Sequence, residues 1–132
     1  MADDLLRHSR NQIFLPGGEV YRTQNIVLSP YEQDTTINHF YASKLFMGAY
    51  AIRQQGLIEA DPLLIKAEQK LIKQAEELIV LVDSSKFSAF GSLIFCPLEQ
   101  IDILITDAGI QPKTQDMLEN AGIKVLIAAN DG

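Results

Sequence analysis

The strongest constraint on the fold is an apolar run that ends abruptly in polar residues, at residues 79–87. It reads I-V-L-V-D-S-S-K-F. Aliphatic residues without polar alternation are typical of a strand that is buried on both faces, as in parallel sheets. Ligands of such sheets bind beyond the carboxyl ends of the strands. Asp83 and Lys86 therefore offer a carboxylate and a flexible cation to a polyhydroxylated or phosphorylated small molecule. The alternative is a solvated loop without a ligand.

Helical and strand patterns alternate along the chain. Asp61 and Pro62 form an N-cap followed by proline at the first helical position, which predicts a helix over residues 62–77. A second helix is expected to begin at Pro112 and to end at Gly122. Because this order suits right-handed parallel crossovers, we expect an α/β fold with an open, mostly parallel sheet and flanking helices. The predicted strands cover residues 12–15, 45–50, 79–83, 92–95, 101–106 and 123–127.

Turn-forming residues predict less regular structure elsewhere. We expect a helical remnant at residues 4–8 and a break at residues 16–18, where proline precedes two glycines. Residues 20–28 fit no single element. Residues 30–41 are expected to form a loop that leads into a short helix, and residues 53–60 a loop.

Composition restricts the class of protein. A chain of 132 residues suits one domain, here residues 1–132, without disulfides or metals. The single cysteine, Cys96, excludes an internal disulfide and indicates a reducing, cytoplasmic setting. No apolar stretch is long enough to cross a membrane. The net charge of −6 and the dispersed basic residues argue against a nucleic-acid-binding surface. No cofactor or metal motif is present.

One acid falls within the apolar face of the helix predicted at residues 62–77. Glu68 lies on the same face as Leu64 and Leu71 on a helical wheel. A buried carboxylate without a partner is costly, so we expect a partner or a wet cavity beside Glu68, and Lys86 is the natural candidate. The alternative is a slightly rotated helix in which Glu68 reaches solvent.

Three glycines and a second acid are weaker candidates. Gly17 and Gly18 could let backbone N–H groups approach an anion, but a plain hairpin turn also explains them. Gly48 lies within the predicted strand at residues 45–50, so another group is expected to approach its backbone closely. Asp107 follows a predicted strand and is either a pocket residue or a turn former.

Four motifs in a fixed order carry a resemblance to a known family. They are L-P-G-G at residues 15–18, A-E-Q-K at 67–70, V-L-V-D-S-S-K-F at 80–87 and I-D-I-L-I-T-D at 101–107. Together they resemble the effector-binding domain of DeoR-type bacterial transcriptional repressors, from about residue 12 to the C-terminus. The resemblance implies a sensor domain similar in fold to ribose-5-phosphate isomerase and glucosamine-6-phosphate deaminase. It also implies a phosphorylated sugar as effector and a homo-oligomer.

The chain departs from the family pattern in three ways. It shows no winged helix-turn-helix, so we expect DNA contact only through an absent N-terminal domain. It lacks the opening part of the sensor domain, which carries the family's phosphate-binding loop, so we expect an incomplete effector site. Tyr50 stands where the family commonly has a small residue, which is expected to reshape the sugar end of the pocket.

The resemblance also implies a set of pocket residues. The motif positions that line or shape the effector pocket are Gly17, Gly18, Gly48, Glu68, Asp83 and Lys86. The run L-S-P at residues 28–30, with A-E-Q-K and D-S-S-K, looks most similar to the branch that controls L-ascorbate utilisation, whose effector is ascorbate 6-phosphate.

Two other functions stay open. In the first, the chain is a sugar-phosphate isomerase in which Glu68 and Asp83 transfer protons. The absence of a histidine near these motifs and of the phosphate loop argues against catalysis, so we expect no catalytic residue, cofactor or metal. In the second, the chain is an assembly domain without a ligand, whose exposed sheet edges pair with another copy.

Overall fold

The computed structural model describes residues 1–15, 17–23, 25–28 and 38–129. The chain divides into two compact units, Met1–Phe40 and Tyr41–Gly132. Most of the loop and short helix predicted at residues 30–41 lies outside the described residues.

The first unit contains a short helix and a hairpin. Helix α1 (Ala2–His8) matches the predicted remnant, and strands β1 (Glu19–Tyr21) and β2 (Ile26–Leu28) pair antiparallel. The hairpin turn therefore lies after Tyr21, and the glycine pair comes directly before β1. The strand predicted at residues 12–15 is wrong: these residues pair with none of the described strands, and a strand needs a neighbour for its backbone groups.

The second unit alternates strands and helices. In chain order its elements are β3 (Ala42–Met47), β4 (Ala51–Arg53), β5 (Gly56–Glu59), α2 (Pro62–Lys73), β6 (Ala75–Leu81), β7 (Leu93–Cys96), β8 (Ile103–Thr106), α3 (Pro112–Asn120) and β9 (Lys124–Ile127), with 3₁₀ turns at Ser84–Phe87 and Leu98–Gln100. None of the helices among the described residues is long and apolar enough to cross a membrane.

The main sheet is parallel and has the order β3-β6-β8-β9. Its strands pair in register, with Met47 beside Val80 and Leu81 beside Ile105. The predicted α/β class with a parallel sheet and flanking helices is therefore confirmed. The strand expected at residues 92–95 exists as β7, but it pairs with β5 in a separate antiparallel sheet.

The loop predicted at residues 53–60 is wrong, because β4 and β5 form a hairpin there. Its turn, Gln54-Gln55, contains none of the usual turn residues, which is why the sequence gives no hairpin signal. Gly56 has φ 138°, and a Cβ at this position would collide with the backbone carbonyl of Cys96. The close packing of β5 against β7 therefore requires glycine at this position.

Helix α2 begins as predicted but ends four residues early. The Asp61 side chain accepts a hydrogen bond of 2.9 Å from the backbone N–H of Leu63, as expected of an N-cap. The helix ends at Lys73 because the residues that follow pair with β3, beginning with Ala75 beside Ala42. Strand pairing thus overrides the helical pattern of residues 74–77.

The core of the second unit is formed by both of its sheets and both helices. The least exposed large side chains are Ile52, Leu57, Val80, Cys96, Leu104 and Leu118. Ile65 and Ile72 of α2 pack against this core. The core therefore holds the strand ends of the parallel sheet in fixed positions.

Candidate functional site

The candidate site is the carboxyl edge of the parallel sheet. Gly48 directly follows β3, Asp83 comes two residues after β6, and Asp107 directly follows β8. Since these strands are parallel neighbours, their carboxyl ends meet at one edge. The structure thus brings together the predicted residues Gly48, Asp83 and Lys86, and Asp107 joins them.

A hydrogen bond joins two of these strand ends. One carboxylate oxygen of Asp107, Oδ2, accepts 2.6 Å from the backbone N–H of Ser84, and the other, Oδ1, accepts 2.8 Å from the N–H of Gly109. Hydrogen bonds from Ser84 and then from Gly109 lower the pKa of Asp107. Asp107 is therefore an ionised brace that fixes the start of the turn after β6.

Gly109 allows this brace to form. A Cβ at Gly109 would collide with the hydroxyl of Ser84 and lie 2.7 Å from Oδ1 of Asp107. A side chain at this position would require the Ser84 and Asp107 side chains to shift. The sequence carries only a weak signal of this contact, a glycine two residues after a strand-terminating acid.

Asp83 caps the 3₁₀ turn Ser84–Phe87. Its Oδ1 accepts hydrogen bonds from the backbone N–H of Ser85, at 2.9 Å, and from the Ser85 hydroxyl. These hydrogen bonds lower the pKa of Asp83, and the charge of Lys86 lowers it further. Asp83 therefore has a structural role, because it shapes the loop that carries Lys86. This role does not exclude a contact between Asp83 and a ligand.

Arg53 is a further residue at this loop, and the sequence analysis did not single it out. The guanidinium of Arg53, the last residue of β4, donates a hydrogen bond of 2.9 Å to the backbone carbonyl of Ala89. This contact holds the end of the loop that begins with Asp83. The pairing spans 36 positions of the chain, so no local pattern predicts it.

Glu68 has a different neighbour from the one expected. It is half-buried on α2, but the charged group that acts on it is Glu59 of β5, not Lys86. Burial, followed by the charge of Glu59 and a hydrogen bond with it, raises the pKa of Glu68 to about 7. No contact that the structure describes links Glu68 to Asp83, so the convergence of these residues on one pocket stays a prediction.

The apolar face that the helical wheel predicted for α2 is rotated from the face that packs in the structure. Ile65 and Ile72 pack against the core, whereas Leu71 is 39% exposed. Glu68 lies beside the true apolar stripe, one turn from each isoleucine, so it still faces the protein.

The remaining predicted residues give less information. Gly48 is exposed, and the nearest atom to a Cβ placed there would be the carbonyl oxygen of Leu81 at 3.7 Å, an ordinary contact. Gly17 and Gly18 belong to the first unit, and a Cβ at Gly17 would meet no atom within 4 Å. The part of Gly17, Gly18 and Gly48 in ligand binding stays a prediction.

The chemistry of the edge suits a hydroxylated ligand. Asp83 and Asp107 are held ionised and accept hydrogen bonds, while Lys86 supplies a cation for an anionic group. Among the described residues, no group of three or more histidines, cysteines or acids could hold a metal ion. Burial raises the pKa of Cys96 to about 11, which keeps the thiol unreactive.

Comparison with known proteins adds independent information. The family model described as DeoR C terminal sensor domain matches residues 1–108. The HTH-type transcriptional regulator UlaR of Shigella dysenteriae serotype 1 (strain Sd197) is 33% identical over 127 residues, which are 96% of this chain and 49% of the regulator. UlaR of Escherichia coli (strain K12 / DH10B), also an HTH-type transcriptional regulator, is 32% identical over 127 residues, which are again 96% of this chain and 49% of the regulator. The chain thus spans about half the length of the curated relatives it matches.

Proposed function

The chain belongs to the family of DeoR C-terminal sensor domains, and we propose that it senses a phosphorylated sugar at the carboxyl edge of its parallel sheet. The observation that carries this proposal is the Asp107–Ser84 hydrogen bond. It fixes the turn on which Asp83 and Lys86 stand, so that acceptors and a cation are held at one edge before a ligand arrives. Preorganised polar groups favour binding because less ordering is needed.

The groups at this edge suggest which part of the ligand each of them binds. Two ionised carboxylates, Asp83 and Asp107, match the hydroxyl groups of a sugar, and Lys86 matches its anionic end. A single lysine is a weak phosphate site, so we propose that further phosphate contacts come from outside this edge. The resemblance of the motifs to the L-ascorbate branch favours ascorbate 6-phosphate as the ligand.

We propose a binding role in preference to catalysis. The relatives that match are transcriptional regulators by name. A general base must be free to reach the substrate. Carboxylate oxygens of Asp83 and Asp107 already accept hydrogen bonds from backbone N–H groups of the turn. The sequence of the second unit contains no histidine. The edge thus has the groups to hold a sugar but no evident base to transform it.

The effect on transcription would pass through a separate segment. The relatives are named HTH-type regulators and are about twice as long as the matched region. We propose that DNA contact in a protein containing this chain comes from a helix-turn-helix outside the matched residues. We also propose a homo-oligomer, as the resemblance implies, and a cytoplasmic setting, as the single cysteine indicates.

The test is a comparison of two lysine variants. Lys86→Ala should weaken binding of ascorbate 6-phosphate about tenfold, because one charge-assisted contact is lost. Lys124→Ala removes an exposed lysine at the first residue of β9, at the opposite end of the parallel sheet, and it should bind like the wild type. Calorimetric titration measures both affinities. Equal affinities in all three proteins would contradict the proposed site.

A further inference from the structure

Thr106 is a buried polar residue at the carboxyl edge of the parallel sheet. It is the last residue of β8, directly before Asp107, and it is only 3% exposed. Among the residues that the structure describes, it is the one polar residue that is buried. Its hydroxyl oxygen is shielded from solvent and has no hydrogen-bond partner in the described part of the chain. A buried hydroxyl without a partner lowers the stability of a fold, and such groups are few in folded proteins.

The side chain of Thr106 lies on the face of the sheet that packs in the core. Residues two positions apart along a strand share a face, so Thr106 lies on the same face as Leu104, which is fully buried in the core. Phe87, the last residue of the turn Ser84–Phe87, packs against the same core. The hydroxyl of Thr106 and the turn that carries Lys86 therefore lie on the core side of the sheet.

The residues on either side of Thr106 are only partly buried. Ile127 of β9 pairs with Thr106 and is 46% exposed. On the other side Leu81 pairs with Ile105, so the next residue, Val82, lies beside Thr106, and it is partly exposed. The hydroxyl is thus covered by side chains at the rim of the core and not at its centre. A small movement of these side chains would open it to a ligand at the carboxyl edge.

Thr106 also supplies a chemical group that the other candidate residues of the edge lack. Asp83 and Asp107 are ionised carboxylates, which accept hydrogen bonds but cannot donate one. Lys86 is a cation and suits the anionic end of a ligand. A sugar has oxygen atoms that accept hydrogen bonds as well as hydroxyl groups that donate them. The hydroxyl of Thr106 is a neutral donor for such an oxygen.

We propose that the hydroxyl of Thr106 donates a hydrogen bond to an oxygen atom of the bound sugar and is the most deeply buried ligand contact of the carboxyl edge. This proposal rests on the proposed sensor function and adds one binding residue to it. In the free chain the hydroxyl is unpaired, which is unfavourable. The ligand removes this cost when it accepts the hydrogen bond, so the contact strengthens binding although it does not stabilise the free chain.

The test uses two variants that separate the hydroxyl of Thr106 from its methyl group. Thr106→Val removes only the unpaired hydroxyl and keeps the shape of the side chain, so without ligand it should melt no lower than the wild type. In calorimetric titration it should bind ascorbate 6-phosphate about tenfold more weakly. Thr106→Ser keeps the hydroxyl and loses a buried methyl group. It should therefore melt lower than the wild type but bind within about threefold of it.

The control is Thr23→Val, which changes an exposed threonine in the turn between β1 and β2 and should bind like the wild type. A Thr106→Val protein that melts far below the wild type, or does not fold, would show that the hydroxyl has a partner within the chain and would overturn the proposal. Equal affinities of Thr106→Val and the wild type would overturn it as well, while the sensor function stands. A wild-type chain that binds no sugar phosphate would contradict the sensor function and the Thr106 contact together.

Discussion

The carboxylate of Asp107 accepts a 2.6 Å hydrogen bond from the backbone N–H of Ser84, which joins the ends of two neighbouring parallel strands. Ser84 begins the 3₁₀ turn that carries Lys86, and Asp83 caps the same turn. The position of the candidate ligand-binding groups thus depends on a contact between residues 23 positions apart. This dependence makes the site sensitive to changes at residues that need not touch the ligand.

Removing this contact should weaken both stability and binding. In Asp107→Ala the N–H groups of Ser84 and Gly109 lose their acceptor, so the turn is no longer held against β8. We expect a melting temperature lower by several degrees and a weaker effector affinity. Asp116→Ala, which removes an exposed acid from α3, is the control. Equal melting curves for both variants would show that the contact does not brace the site.

Replacement of Gly109 should be costly for a steric reason. The added methyl group of Gly109→Ala would collide with Ser84 and crowd Asp107. Overpacking of a well-packed core costs about 1–3 kcal/mol, and we expect the lower end of this range because the contacted atoms belong to side chains that can shift. Gly17→Ala is the matched change, because its methyl group would meet no atom within 4 Å. Urea unfolding measures the difference, and a Gly109→Ala protein as stable as Gly17→Ala would contradict the described packing.

The N-cap of α2 gives a prediction about local stability. Asp61→Ala should lower the free energy of unfolding by about 1 kcal/mol, since the N–H of Leu63 loses its acceptor. Asp61→Asn keeps an acceptor oxygen and should cost much less. Chemical denaturation of the two variants checks this. Similar losses in both would mean that the cap hydrogen bond is not what stabilises the start of the helix.

Acid should destabilise the strand ends. The pKa values of Asp83 and Asp107 are lowered by hydrogen bonds in the folded chain, so their ionised forms favour folding. This contribution is present above pH 3.8, the ordinary pKa of these carboxyl groups, and is lost as the pH falls through their lowered pKa values in the folded chain. Melting curves between about pH 2.5 and 5 should therefore depend less on pH in Asp107→Asn than in the wild type. The same acid dependence in both proteins would argue against a braced, ionised Asp107.

Sequence motifs correctly predicted those helices and strands whose formation depends on residues close by in the sequence. Asp61 and Pro62 marked the start of α2, and Gly122, with φ 90°, ends α3 as expected. The apolar run at residues 79–83 identified a strand of the parallel sheet, although β6 begins earlier, at Ala75. The four motifs also indicated the family correctly.

Contacts between distant residues could not be predicted in this way. Glu59 follows a turn that carries no hairpin signal, so its position beside Glu68 depends on the pairing of β5 with β7. The early end of α2 depends on the pairing of Ala75 with Ala42. The brace at Asp107 needs the register of β6 and β8. Each depends on tertiary pairing, which outweighs local preference.

We propose that the carboxyl edge of the parallel sheet binds a phosphorylated sugar. The most direct measurement is the melting temperature of the purified chain with increasing concentrations of several sugar phosphates, including ascorbate 6-phosphate. A ligand that binds the folded state raises the melting temperature by mass action. We predict a selective, saturable rise with one class of sugar phosphate. A folded chain whose melting temperature responds to none of them would contradict the claim.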